Sequence, residues 1–496
     1  MSSPNTSTAM KFTQYAGVAG LIVGSAVAKE IPQDLERSRT LFASGVRHEQ
    51  IMSKKHSTWD QKRAAGVFTA EYPELGFAPC KDGVVTAIEG DKMNTFKCSN
   101  IDLYHFLAHT KLGSKTGEGS SSWGWVAPSG REFVAVAQAD GAAFVEITKE
   151  GKMVYLGRLP QHHEASPTIW RELRVYKNYL LVGSEAMYHY IQVFDLRKLE
   201  DIDPKNPVTF DTKKDITSLF RDLPVGRTHN VVIDEANQYA VSVGAAPRSD
   251  KCKAGLIFID LTDIENPKSP GCASQDGYVH DAQCLTYKGP DTRYQDHTIC
   301  YGYNEDTLTI YDVSDRSNAT IISRTSYEGA SYTHQGWVLD RNWQDYLIMD
   351  DEYDEYNGAG PAKSGHPITY IWDIKDLKNP KQTGYFRSPH FGIDHNQYIH
   401  DGHVYQSNYG TGFHVLDITS IPSDPTGAGV HEVAFIDIYP EDDDKPEGGS
   451  LDFVGSWSSY AMLPSGFILI NTIERGAFIV KMQKQSIRAR GSRLGW

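Results

Sequence analysis

The chain contains no C-x-x-C pair, no G-x-S-x-G, no H-E-x-x-H, no Walker A loop and no glycine-rich dinucleotide loop. The sequence marks of a zinc ribbon, a serine-hydrolase elbow, a zincin, a P-loop NTPase and a Rossmann oxidoreductase are therefore all missing. Positive charge is also short. Lys and Arg number 49 against 63 Asp and Glu, a formal net charge of −14. Nothing forms the basic patch that holds nucleic acid, so no nucleic-acid partner is expected. Past residue 28 no apolar run approaches the roughly 20 residues of a bilayer span, so no membrane span is expected in the mature chain.

What is present begins with an export signal. Lys11 precedes an apolar run from Tyr15 to Val27, and Ala26-Val27-Ala28 fits the small-x-small cleavage rule ahead of Lys29-Glu30. Residues 1–28 therefore read as a signal peptide. A membrane anchor is the competing reading, and the run is short for one. The expected location is secreted, extracellular or cell wall. All six cysteines lie beyond the cleavage site. An even count in an exported chain suggests disulfides, and sequence neighbours make the simplest pairs: Cys80–Cys98, Cys252–Cys272 and Cys284–Cys300. Asn318-Ala319-Thr320 is an N-glycosylation sequon.

Residues 29–70 read as a helical lead-in. Leu35, Leu41, Ile51, Met52 and Trp59 alternate with charged and amide residues at helical rather than strand spacing. The segment is expected to pack on the outside of the main domain. Residues 71–482 change to short β-rich runs separated by Gly, Pro, Asn and Asp, and residues 483–496 form a basic tail.

The β-rich runs repeat. One type ends in apolar-Asp-apolar: Phe194-Asp195-Leu196, Ile259-Asp260-Leu261, Tyr311-Asp312-Val313, Trp372-Asp373-Ile374 and Leu416-Asp417-Ile418. Asn-Pro often follows, and the aspartate is expected to cap a turn. A second marker precedes each copy: Trp123, Trp170, His229, His280, His334, His395 and Trp457. Successive markers stand roughly 47 to 62 residues apart, the scale of one four-stranded propeller blade. The expected fold is all-β, a seven-bladed β-propeller behind a helical lead-in. Ring closure predicts that a strand from residues 70–145 or the strand at Phe467–Ile470 completes a shared sheet, since closure removes exposed edges.

The motifs Trp170-Arg171-Glu172-Leu173, Thr228-His229-Asn230, Gly277-Tyr278-Val279-His280-Asp281-Ala282-Gln283-Cys284 and Tyr332-Thr333-His334-Gln335-Gly336-Trp337 resemble the LVIVD-repeat proteins, specifically the choice-of-anchor B family. Asp394-His395-Asn396 and Ser456-Trp457-Ser458 complete the likeness, which covers roughly residues 75 to 482. It implies a secreted or surface β-propeller and brings no established reaction. The chain departs from the family in ending on Arg488-Ala489-Arg490 and its neighbours, with no apolar anchor, which points to free secretion.

His229, His280, His334 and His395 hold equivalent places in four successive repeats, so their imidazoles are expected to converge at one mouth of the channel. Imidazole suits Zn, Mn, Cu or Fe. Asp281 and Asp394 stand beside two of the rings, and Asn230, Gln283, Gln335, Asn396 and Arg171 are candidate supporting groups. The competing reading makes the histidines hydrogen-bonded pegs between blades. The run Asp350-Asp351-Glu352-Tyr353-Asp354-Glu355 reads either as a Ca²⁺ site or as a solvated loop. For function, the first expectation is a binding or adhesion module for an extracellular polymer or cell-surface ligand. The alternatives are a metal-dependent polysaccharide lyase, with Arg171, Arg227, His280 and His334 as its candidate residues, and a metal-dependent oxidoreductase.

Overall fold

The computed structural model describes Met1 and residues 29–483. The expected leader, apart from Met1, and the tail from residue 484 onward lie outside the described residues. Most of the regular structure is strand, arranged as sheets that are antiparallel except where Val208–Thr209 adds parallel to Met153–Pro160. The described residues form seven such sheets. Their leading strands are β1 (Gly119–Val126), β2 (Arg171–Tyr176), β3 (Asn230–Asp234), β4 (Asp281–Thr286), β5 (Thr333–Val338), β6 (Asn396–His400) and β7 (Ser456–Tyr460). Each is followed by hairpin-linked antiparallel strands stepping away from it. Strand β1 touches β2, β2 touches β3, and so on to β7, which touches β1.

The sheet led by β7 takes its fourth strand from far upstream. Ile101–Ala108 pairs antiparallel with Gly476–Met482, placing Phe106 opposite Phe478 and Asp102 opposite Lys481. The edge that the C-terminal strand would leave open is thereby filled, as expected of a segment from residues 70–145.

The repeated aspartate has the local role its position suggested. The Asp195 carboxylate accepts from Arg197 N at 3.0 Å. Asp260, Asp312, Asp373 and Asp417 each accept from the backbone N–H two residues on, at 2.8, 3.0, 2.9 and 2.9 Å. A second turn follows in which Asp203, Asp263 and Asp376 accept from the side chains of Asn206, Asn266 and Asn379. Proline after each asparagine has no N–H to leave unsatisfied.

Apolar side chains fill the space between neighbouring sheets. Phe144 and Phe194 stack across the first such gap with ring centres 5.0 Å apart. Leu285, Tyr301, Leu308 and Ile310 meet Leu347, Met349 and Trp372 across another. All three expected disulfides form: Cys80–Cys98, Cys252–Cys272 and Cys284–Cys300. The last joins residues directly opposite on adjacent strands. Among the described residues no helix is long and apolar enough to cross a membrane.

The lead-in departs from its expected place. Helix α1 (Val46–Ala64) buries Ile51, Met52, Lys55 and Trp59. These pack on Trp170, Tyr332, Tyr353, Tyr409, Phe453 and Trp457, the aromatic residues around the leading strands. The helix therefore covers the histidine cluster rather than an outer face. Trp59 decides the placement: it is fully buried, and its indole N–H donates to Phe453 O at 2.7 Å. A tryptophan with its N–H satisfied inside the fold is a strong anchor.

Candidate metal centre

The leading strands bring the four histidines together. The ring centres of His229 and His280 lie 4.1 Å apart, those of His280 and His334 4.6 Å, and those of His334 and His395 4.8 Å. A β-bulge between Thr333 and Gly336 helps to aim His334. It requires glycine at 336, because a Cβ there would stand 2.4 Å from Ile348 O and 2.5 Å from the Tyr303 ring. His280, His334 and His395 are buried, and His229 is half-buried.

Each imidazole has a partner that orients it. His334 Nδ1 lies 3.1 Å from Asp350 Oδ1, which leaves Nε2 as its free ligand atom. His395 Nδ1 donates to Trp457 O at 2.7 Å. Glu185 accepts from His229 Nδ1, and His229 Nε2 lies 3.1 Å from His280 Nε2. The hydroxyls of Tyr278 and Tyr332 each stand 3.2 Å from His280 Nδ1. Carboxylate and carbonyl partners on the far nitrogen are how metal-binding imidazoles are held.

Glu352 completes the cluster. One ligand atom from each of His280, His334 and Glu352 can be chosen so that all lie within 4.8 Å of one another, a set able to hold a metal ion. Lys55 reaches down from α1 and places Nζ 2.5 Å from Glu352 Oε1. Tyr409 donates to the same oxygen, and His395 Nε2 is 3.6 Å away. Burial pushes the Glu352 carboxyl up, but Lys55, His334 and His395 outweigh it and hold the group at about 2. Burial and the neighbouring rings keep His280 well below its ordinary value. His395 is held low too, by burial and His334, although Glu352 opposes this. For His334 burial is outweighed by Asp350 and Glu352, which raise its value. A small pocket lined by His229, His280, His334, His395, Trp170 and Trp457 has an open volume of about 20 Å³. One water needs about 10–15 Å³, so the space takes a single ion or water and no organic substrate.

The expected supporting residues mostly brace sheet against sheet. Gln335 Nε2 donates to Asp281 at 2.8 Å, and its Oε1 accepts from Gln397 N at 2.6 Å. Gln283 accepts from Val338 N, Asn396 donates to Trp457 O, and Asn230 accepts from its neighbour Val231 N. Arg171 lines the pocket, yet its guanidinium is spent on Gln138 O, Ala139 O and His189. Arg227 pairs with Glu185 at 3.2 Å. Asp394 does not orient His395: neither of its carboxyl oxygens makes a normal hydrogen bond.

The acidic run is not a solvated loop. Asp350, Asp351, Glu352, Asp354 and Glu355 are all buried. Burial raises Asp354 and Glu355 well above the carboxylate range; Glu355 adds to the shift of Asp354, and Asp394 adds to that of Glu355, which a hydrogen bond with Asp354 opposes. Asp394 is raised too, by burial and by Asp350 and Asp354. Among the described residues this run contributes only Glu352 to a set of three close ligand atoms.

Glu352, Lys55, Glu185 and the two tyrosines belong to the histidine cluster, and the marker pattern does not single them out. The signal for the acids is the hairpin. Thr333 pairs with Asp351 and Arg171 with Ser184, so the residue just past the second strand returns to the mouth where the first strand starts. Glu185, Glu305, Glu352 and Glu474 all stand at or next to that place. Comparison with protein-family models and with curated proteins returns no match.

Proposed function

We propose that the chain is a secreted seven-bladed β-propeller, of the LVIVD-repeat, choice-of-anchor B type, that acts as an extracellular binding module. In this reading one divalent transition metal ion sits under α1 and braces the mouth of the channel. Seven sheets whose leading strands touch in sequence, with the last against the first, support the propeller. The leader-like N-terminus, the three disulfides and the exposed Asn318 of the sequon support export.

The observation that carries the metal is the meeting of His280, His334 and Glu352, each of which can bring one ligand atom within 4.8 Å of the other two. Helix α1, which buries Lys55 and Trp59 at the aromatic residues around the leading strands, argues against a lyase. The helix stands between a polymer and the histidines, and the Arg171 guanidinium is spent on Gln138 O, Ala139 O and His189 and not held free for a uronate. A ligand of small size finds room instead in the groove of about 550 Å³ beside α1, lined by His56, Arg63, Lys115 and Trp170.

Elemental analysis of secreted protein purified without added metal tests the centre. Wild type is expected to carry close to one equivalent, and His280→Ala and His334→Ala to lose it while keeping the wild-type circular dichroism spectrum. Affinity is expected to fall as the solution is acidified, with protons competing first for His334, whose value Asp350 and Glu352 raise. Metal-free wild type would return the histidines to the role of pegs, with the Lys55 ammonium as the cation that Glu352 holds.

A further inference from the structure

A second group of metal-ligating side chains lies outside the histidine cluster, and its geometry is independent of the reading above. His414 lies in the strand Phe413–Asp417, and Glu432 in the adjacent strand His431–Ile436. Leu416 pairs with Glu432, so His414 and Glu432 are diagonal neighbours on one face. His390 comes from the segment between Arg387 and Asn396. Its Nε2 lies 3.2 Å from Glu432 Oε1, and His414 Nδ1 lies 2.8 Å from Glu432 Oε2. The two imidazole centres are 4.7 Å apart.

The tautomer of His414 can be read from its surroundings. Thr411 Oγ1 donates its proton to Asn408 O at 2.9 Å. Toward His414 Nε2 both Thr411 O and Thr411 Oγ1, each at 3.0 Å, are therefore acceptors. Nε2 carries the hydrogen. Nδ1 then points at a carboxylate oxygen either through a second proton or with a bare lone pair. A lone pair facing a carboxylate at that distance repels it unless a cation lies between. A backbone carbonyl on Nε2–H, with Nδ1 turned to the ligand side, is the outer-shell arrangement of a metal-binding histidine.

We propose that His390, His414 and Glu432 form a second binding site, for a divalent transition cation of the zinc class. Two imidazoles and one carboxylate are a His₂Glu donor set, which leaves a coordination position for water. Side-chain exposure is 26% at His390 and 17% at Glu432 but 1% at His414, so the site opens to solvent on one side and is anchored on the other. Phe435 packs against both rings, with centres 4.5 Å from His390 and 5.9 Å from His414, and limits their rotation. A bound ion would tie the segment that ends in Asp394-His395 to the outer strands of the next sheet.

Co²⁺ titration of the chelator-stripped, disulfide-intact mature chain tests the site, read by visible d–d absorption and by calorimetry. His390→Ala and Glu432→Gln are partly exposed changes expected to leave the circular dichroism spectrum unchanged. Each should weaken one class of Co²⁺ site about 100-fold or more, while His280→Ala leaves that class intact. The ring reading and this one therefore fail separately: loss confined to His280→Ala sinks this site alone. Titrations of wild type and His390→Ala that superimpose, or a wild type that takes up no Co²⁺, would overturn it and leave His414 as an imidazolium paired with Glu432.

Discussion

Helix α1 carries two lysines two turns apart, and each meets a buried glutamate at the same mouth of the fold, with opposite results. Lys55 stands 2.5 Å from Glu352, and that carboxyl is held at about 2. Lys62 stands 3.5 Å from Glu474, and that carboxyl is pushed up to about 7. Burial raises both, and both side chains are at most 1% exposed. The difference lies in the company. Glu352 has His334 and His395 beside it and the Tyr409 hydroxyl on its oxygen. Glu474 has one backbone donor, Gly455 N at 2.9 Å, a more distant ammonium and a like charge in Glu441. A buried acid at the rim is thus an ion only where several positive or donating groups converge on it.

The largest effect is expected from breaking the tighter pair. Lys55→Met keeps most of the stem but leaves Glu352 without its nearest cation inside the fold. Removing one partner of a buried pair typically costs about 3–5 kcal/mol. The double variant Lys55→Met/Glu352→Gln should recover most of that, because it removes the stranded charge as well. Urea unfolding of the three proteins measures it. A single variant within about 1 kcal/mol of wild type would mean that His334 and His395 suffice to hold Glu352.

Next comes the looser pair, through pH. The folded value of Glu474, about 7, lies above its ordinary 4.5, so the native state binds the proton more tightly than the unfolded chain. Stability from this group is therefore whole below pH 4.5 and is lost as pH rises toward 7, by an amount on the order of 3 kcal/mol. Glu474→Gln stays neutral throughout. Its stability should match wild type near pH 4.5 and exceed it by pH 8, when both are unfolded across that range. Equal gains at both ends would tie the effect to packing and not to charge.

The fold was far more legible than the site. Asp-capped turns and regularly spaced markers are local signals, and a repeat multiplies each of them, so the strand-rich architecture and the three disulfides could be read from spacing. The place of α1 could not. Its pattern shows an apolar stripe, with Ile51, Met52 and Trp59, and says nothing about which surface the stripe meets. Lys55 looked like solvent-facing charge, yet it is 2% exposed, because its partner lies nearly 300 residues further on. The four histidines were found because they recur at one repeat position. Glu352 was hidden inside a dense acidic run, where five carboxylates look alike in sequence. Only the hairpin pairing separates the one that faces Lys55 from Asp354, which faces Tyr370 at 2.6 Å.

The smallest effect sharpens the comparison most. Lys62 is partly exposed, at 16% of its side chain, and also donates to the Tyr439 hydroxyl at 2.6 Å. Its attraction lowers the Glu474 value against the larger burial effect, so Lys62→Met should move that value further above 7. At pH 5 Glu474 is already protonated in the native state, Lys62 has no anion to meet, and the substitution should cost little beyond the lost contact with Tyr439. At pH 8 Glu474 is mostly ionised, and the missing ammonium should cost about 1 kcal/mol more than at pH 5. The loss of native stability with rising pH should accordingly continue to higher pH in the variant than in wild type. Unfolding curves for the two proteins at pH 5, 6.5 and 8 decide it. A cost that stays constant across the three would show that Lys62 acts through its stem and its hydrogen bond alone, and that the contrast between the two glutamates owes nothing to the distance of their lysines.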